Sequence, residues 1–103
     1  MTLILYWRAA ALPEANYTIF THLLGPAERV IVNADHLPSK STQSWVAGEI
    51  ITDPITLTIP VDLPPGHYPI EVGLYNAADP TFQRLPLSNG ETRVILPEQL
   101  RIE

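Results

Sequence analysis

The histidines are the first candidates for metal binding or acid–base catalysis, because imidazole is a common protein ligand for zinc and the usual general base. The three histidines, His22, His36 and His67, lie on separate predicted elements. The sequence has no short-spaced His pair and no HExxH motif. We therefore expect no metal site, and we place His22 at the surface or boundary of a strand.

One polar loop contains the residue types of a hydrolytic triad: Asp35, His36, Ser39, Ser41 and Ser44. Triad catalysis depends on geometry, however, and no nucleophile elbow such as GxSxG is present. Serines in loops commonly satisfy the backbone. Glu49 and Asp53 are weak candidates for a glycosidase pair, because scattered carboxylates are expected in an acidic chain. The sequence predicts no catalytic residue and no cofactor.

Aromatic rings are stronger candidates for binding, because apolar sugar faces pack on them while nearby polar groups bond the hydroxyls. The candidate ligand-binding residues are Trp45, Tyr17 and Tyr75. Trp7 lies in a segment made largely of Leu and Ile, so we expect it in the core. Trp45 follows a polar loop, and its position leaves both core and surface open.

Composition narrows the classes of partner. The 103 residues make a single domain, residues 1–103, with 46% apolar residues and enough core to fold. The net charge is −5 and there is only one lysine, Lys40, so nucleic-acid binding is not expected. The chain has no cysteine, no apolar run near the ~20 residues of a spanning helix, and no signal peptide. Eleven prolines disfavour long helices.

The elements that would position these residues are short strands. Turn signals such as Gly25-Pro26 and Ser88-Asn89-Gly90 separate β-prone segments. The segments are residues 2–8, 17–24, 29–32, 55–59, 67–75, 82–87, 92–96 and 100–102. In residues 55–59, apolar and polar side chains alternate with the period of a half-buried strand. The pattern predicts an all-β fold, an antiparallel β-sandwich of the immunoglobulin or fibronectin kind.

A corner at residues 63–68 favours a sandwich over a barrel. In Greek-key sandwiches a tyrosine after such a corner turns its hydroxyl back onto upstream backbone. Tyr68 follows Pro64, Pro65 and Gly66 and is placed for that role.

Several fragments together resemble a known family. They are residues 5–8 (LYWR), 17–23 (YTIFTHL), Trp45, Gly48-Glu49, residues 63–66 (LPPG) with Tyr68, and residues 72–75 (VGLY). They are similar to the β-sandwich region attached to bacterial multi-spanning membrane glycosyltransferases of the protein mannosyltransferase type, over about residues 2–87. That family's catalytic acidic residues lie in its membrane portion and have no counterpart here. Thr21 departs from the resemblance, since such regions usually carry an apolar residue there.

The resemblance implies a fragment of a larger protein that lacks the strand normally preceding Leu3. It implies a non-catalytic accessory domain on the extracytoplasmic face of the cell membrane, with the rest of the parent membrane protein as partner. One alternative is an autonomous carbohydrate-binding module. The other is a structural spacer or protein-interaction domain, whose exposed sheet edge would also allow a homodimer.

Overall fold

The computed structural model describes residues 1–10 and 13–103, and their regular structure is almost entirely β. Two single-turn 3₁₀ helices occupy Pro26–Glu28 and Thr42–Ser44, and no described segment is a helix of the length and apolarity needed to cross a membrane. The strands are β1 (Thr2–Arg8), β2 (Thr18–Leu24), β3 (Val30–Asn33), β4 (Ile50–Thr56), β5 (Gly66–Tyr68), β6 (Ile70–Tyr75), β7 (Val94–Ile95) and β8 (Leu100–Ile102). The expected all-β class is confirmed.

The strand pairs of the described residues are all antiparallel and form two sheets and a short ladder. The large sheet has the order β3-β2-β6-β7, and the small sheet pairs β1 with β4. β5 and β8 form the separate ladder. The small sheet packs across the large one, since side chains of β1 and β4 join core clusters with those of β2 and β6.

Alternation explains which residues of the small sheet face the core. In β1 the odd positions are partly buried and the even positions are exposed, and in β4 the buried positions are Ile51, Asp53 and Ile55. β2 and β6 are buried on both faces, because loops and charged side chains cover the outer face of the large sheet. The core therefore lies between the sheets, with a second covered layer outside β2 and β6.

The predicted tyrosine corner is confirmed. Tyr68 is buried, and its hydroxyl donates to the carbonyl oxygen of Pro64 at 2.5 Å. This bond satisfies a carbonyl in a proline-rich turn, where backbone donors are scarce.

The predicted strands differ most from the structure in three places. β4 begins at Ile50 instead of residue 55, because Asp53 interrupts the apolar alternation that would have revealed the earlier residues. The segment 67–75 is divided between β5 and β6 at Pro69. Residues 82–87 form only a bridge between Arg84 and Tyr75, and Pro86 cannot donate to a longer ladder.

Candidate functional site

A groove lies between the two sheets, and we call it the edge groove. It lies beside β1, has a volume of about 660 Å³ and is lined by side chains from both sheets and from residues 85–89. It exists because the small sheet has two strands and the large sheet has four, so β6 and β7 are left partly uncovered. Its main apolar lining residues are Leu5, Trp7, Trp45, Val72, Leu74, Leu85, Leu87, Val94 and Leu96.

The three sequence-predicted ligand-binding residues do not form one platform. Trp45 is only 4% exposed, lies in a core cluster with Ile19 and Leu74, and its indole nitrogen donates to the carbonyl of Lys40 at 2.8 Å. Tyr17 packs against the same cluster and is half-buried. Tyr75 lies on the other face of the large sheet, where its ring contacts Phe20 and Phe82. The structure thus brings Trp45 and Tyr17 together and separates Tyr75 from them.

A buried polar cluster joins the two sheets at Asp53. This β4 side chain points inward, is 3% exposed, and accepts a hydrogen bond from the indole nitrogen of Trp7 at 3.1 Å. It also contacts Nε2 of His36 at 2.7 Å through one oxygen and at 2.9 Å through the other. His36 is held beside β2 by a backbone bridge to Ile19. One carboxylate therefore connects β1, β4 and the edge of the large sheet.

Both ring nitrogens of His36 have partners within the fold. Nδ1 lies 2.9 Å from the carbonyl oxygen of Ala34, which can only accept. Nε2 faces the Asp53 carboxylate. The imidazole is therefore engaged on both sides and presents neither nitrogen to a substrate.

A second polar cluster covers the outer face of the large sheet. His22 was expected at the surface or boundary, but it is only 9% exposed, and its Nδ1 lies 2.7 Å from Oε2 of Glu71. Arg93 donates to Glu71 at 3.1 Å and to Glu28 at 2.7 Å. Burial raises the pKa of Glu71, but the hydrogen bonds from His22 and Arg93 outweigh burial and hold that pKa below its ordinary value.

Aromatic and cationic side chains complete that outer layer. The guanidinium carbon of Arg84 lies 4.2 Å from the centre of the Phe20 ring, and Phe20 lies beside His22. Burial, together with the neighbouring Asp35, raises the pKa of the Tyr75 phenol. These contacts explain how β2 can carry large side chains on both faces.

The polar loop 35–45 does not assemble a triad. The Ser44 hydroxyl donates to the carbonyl oxygen of Ser41 at 2.6 Å, and the Ser41 hydroxyl donates to Asn16. Glu49 pairs with Lys40 at 2.7 Å, which lowers the pKa of Glu49. Among residues 1–10 and 13–103, no group of His, Cys, Asp and Glu side chains is arranged to hold a metal ion.

Thr21 shows the largest local anomaly in the core. It is completely buried in β2, and within the described ranges its hydroxyl has no hydrogen-bond partner. The family resemblance marked Thr21 as a departure, whereas the sequence gave no signal that Asp53, His36 and Trp7 would meet. Their separations along the chain, 46 residues for Trp7 to Asp53 and 17 for His36 to Asp53, follow no local pattern.

No family model, curated protein or solved structure matches this chain.

Proposed function

We propose that the chain is a non-catalytic accessory domain that acts by binding a partner in the edge groove. The observation that carries this proposal is the groove itself, which is mainly apolar and has a volume of about 660 Å³. It lies between the two sheets and opens beside the edge of β1, to which no further strand is paired among residues 1–10 and 13–103. Apolar concave surfaces of this size are typical of binding sites. Following the resemblance, we place the domain on the extracytoplasmic side of a membrane-bound parent protein.

The distribution of charged groups supports a role without catalysis. Among the described lining residues of the edge groove, none is an Asp, Glu or His. Within the described residues, the two buried carboxylates, Asp53 and Glu71, are each bonded to side chains of the fold. A general acid or base needs a titratable group that reaches the substrate.

We also propose that the two sheets form a sandwich of the immunoglobulin or fibronectin kind. The tyrosine corner at Tyr68 supports this proposal, since it is characteristic of such sandwiches.

Carbohydrate binding has less support from the geometry. It would need exposed rings lying side by side with polar groups around them. Trp45 is buried, Tyr75 lies on the opposite face of the large sheet, and the groove lining is mainly aliphatic. A pure spacer would not need an open apolar groove.

The test is a titration with anilinonaphthalene sulfonate, an anionic dye with an apolar ring system, in parallel with a panel of neutral oligosaccharides. We expect one saturable dye site on the folded domain and no response to the sugars. Leu87→Asp, in the groove, should abolish dye binding, because the carboxylate makes the lining polar and repels the sulfonate. Val61→Asp, at a fully exposed site outside the groove lining, should preserve it.

Near-ultraviolet circular dichroism of both variants checks that the fold is intact. Equal dye binding by both folded variants would contradict the groove as the site. Saturable binding of a sugar that Trp45→Phe removes would replace the proposal with the carbohydrate-binding alternative.

A further inference from the structure

The partner that fits the edge groove can be inferred from the backbone of β1, and this inference rests on the proposed function. Met1 and Leu57 exchange backbone hydrogen bonds at 2.9 and 2.7 Å, and the amide of Ala9 donates to Glu49 at 3.3 Å. In an antiparallel pair, residues that face the partner strand alternate with residues that face away. The odd residues of β1 therefore bond to β4.

The even residues of β1 consequently direct their amides and carbonyls away from β4, toward the open side of the small sheet. Within the described part of the chain, β4 is the only strand that pairs with β1. Four residues thus present donors and acceptors to an incoming chain: Thr2, Ile4, Tyr6 and Arg8. An exposed row of this kind is a template for a further strand.

The opposite edge of the small sheet differs in one residue. By the same register, the even residues of β4 direct their backbone groups away from β1, and Pro54 is among them. Proline has no amide to donate, and natural edge strands use it to discourage pairing. The β1 segment contains no proline. Pairing is therefore disfavoured at β4 and open at β1.

The edge groove lies directly under the open position. It is lined by Leu5 and Trp7 from β1 and by Val72 and Leu74 from β6. A strand added to β1 would place alternate side chains in this groove and the others beside Ile4 and Tyr6, which are 55% and 68% exposed. Both sets of positions favour apolar or β-branched residues in the partner.

A second copy of this chain does not fit that position. Two-fold pairing of β1 with its own copy would extend the small sheet over the large sheet of each molecule. Because β6 and β7 already lie under the open side, the two copies would bring these strands into the same volume. A single extended segment avoids the collision.

The charge of Arg8 and the antiparallel pairing together indicate where the partner carries an acidic residue. Arg8, at the end of β1, is exposed and has no ion-pair partner within residues 1–10 and 13–103. All described strand pairs are antiparallel. We propose that β1 binds, by antiparallel strand addition, one extended segment of a partner polypeptide that has apolar residues at alternate positions and an acidic residue near its amino end, facing Arg8.

The probe is a synthetic peptide that begins with glutamate and then alternates valine with threonine, and its affinity is measured by calorimetry. Two derivatives carry equal numbers of N-methyl groups, one on the threonines and one on the valines. The threonine amides face β1 in the antiparallel arrangement, so methylation there should weaken binding by at least about tenfold. Methylation of the valines should leave binding nearly unchanged.

Matched protein variants locate the edge. Ile4→Pro removes an amide that faces the open side and leaves the β1–β4 bonds in place, so it should fold and lose at least about tenfold in peptide affinity. Thr52→Pro removes the corresponding amide on the β4 edge and should bind normally. Hydrogen exchange should slow at the amides of Ile4 and Tyr6 when the peptide is bound.

The outcomes separate this inference from the proposed function. If the peptide fails to bind while the dye still occupies the groove, or if both methylated peptides bind equally, strand addition is wrong and the groove remains a binding site. If the dye site is also missing, the proposed function fails as well. A stable dimer that Ile4→Pro dissociates would overturn the inference in favour of a second copy.

Discussion

Asp53 is a charged side chain placed where a sandwich ordinarily has an apolar one, between Ile51 and Ile55 on the inner face of β4. Removing the acceptor of a buried hydrogen bond leaves its donor without a partner, which is more damaging than losing a bond at the surface. Asp53 accepts from Trp7 and pairs with His36, so two donors depend on it. This cluster therefore holds the two sheets in register and acts structurally.

We expect Asp53→Ala to lower the free energy of unfolding by about 1–3 kcal/mol, because the partly buried His36 ring and Trp7 indole would both lose their acceptor. Urea denaturation measures the change, and Asp62→Ala, at an exposed aspartate, is the control. If both variants lost the same small amount, the inter-sheet cluster would carry no special stabilisation.

Glu71 should make the free energy of unfolding decrease as the pH falls into the acid range. Its pKa in the folded state is lowered, so the folded state binds its proton more weakly than the unfolded chain does. The stabilisation is complete above the ordinary glutamate value of 4.5 and is lost as the pH falls through the folded-state pKa. Glu71→Gln should therefore flatten the acid side of the stability–pH curve. An unchanged acid side would show that other carboxylates dominate it.

Thr21 should be one of the few core positions where a substitution stabilises the protein. Valine has nearly the same shape and removes the unpaired hydroxyl, so Thr21→Val should raise the free energy of unfolding by about 1 kcal/mol. Thermal and urea unfolding would measure the gain, with Thr56→Val at an exposed strand position as control. A loss of stability would mean that the hydroxyl has a bonded partner, such as a buried water.

At the scale of elements, the ring of Phe20 from β2 lies directly over Gly73 of β6. This residue pairs with Phe20, and a Cβ added there would lie 2.8 Å from the backbone oxygen of Thr92 and closer still to the Phe20 ring. The glycine lets a large aromatic ring cross the outer face of the sheet. The contact with backbone oxygen cannot be relieved by a rotamer change alone.

Gly73→Ala should consequently destabilise the protein by about 1–3 kcal/mol through overpacking. The control is Gly90→Ala, which has no atom within 4 Å of the added Cβ, although its positive φ of 81° adds some strain of its own. Equal losses at the two glycines would show that crowding at Phe20 is relieved by small shifts.

The predictions of strands and turns were correct where the residues that determine a feature are neighbours in the sequence. The Tyr68 corner was predictable because the turn, the proline and the tyrosine are neighbours in sequence. The early part of β4 was missed because Asp53 breaks the alternation, and its partners lie far away along the chain. The edge groove could not be predicted, because it depends on how many strands each sheet contains.

At the scale of the whole molecule, Trp7 connects the two hydrophobic clusters, since it packs against both. One cluster contains Trp45 and Leu74, and the other contains Tyr68 and Val72. A shared side chain of this size makes the two clusters one cooperative unit. We therefore expect circular dichroism and tryptophan emission to report a single, coincident unfolding transition.

Trp7→Leu should weaken this coupling, because leucine is too short to reach both clusters and cannot donate to Asp53. The expected result is a smaller denaturant dependence of the unfolding free energy, with the circular dichroism transition separated from that of the remaining Trp45 emission. Coincident transitions with an unchanged slope would show that the clusters are coupled by other residues.

The free edge of β1 also has a consequence for the protein in storage. Residues 2–7 are uncharged, rich in β-formers and free of proline, which is the composition of segments that stack into fibrils. When partial unfolding releases β1 from β4, this segment can template itself, so concentrated samples should slowly seed amyloid. A lysine at the exposed position 4 would act as a gatekeeper, and a segment bound along β1 would protect the chain in the same way.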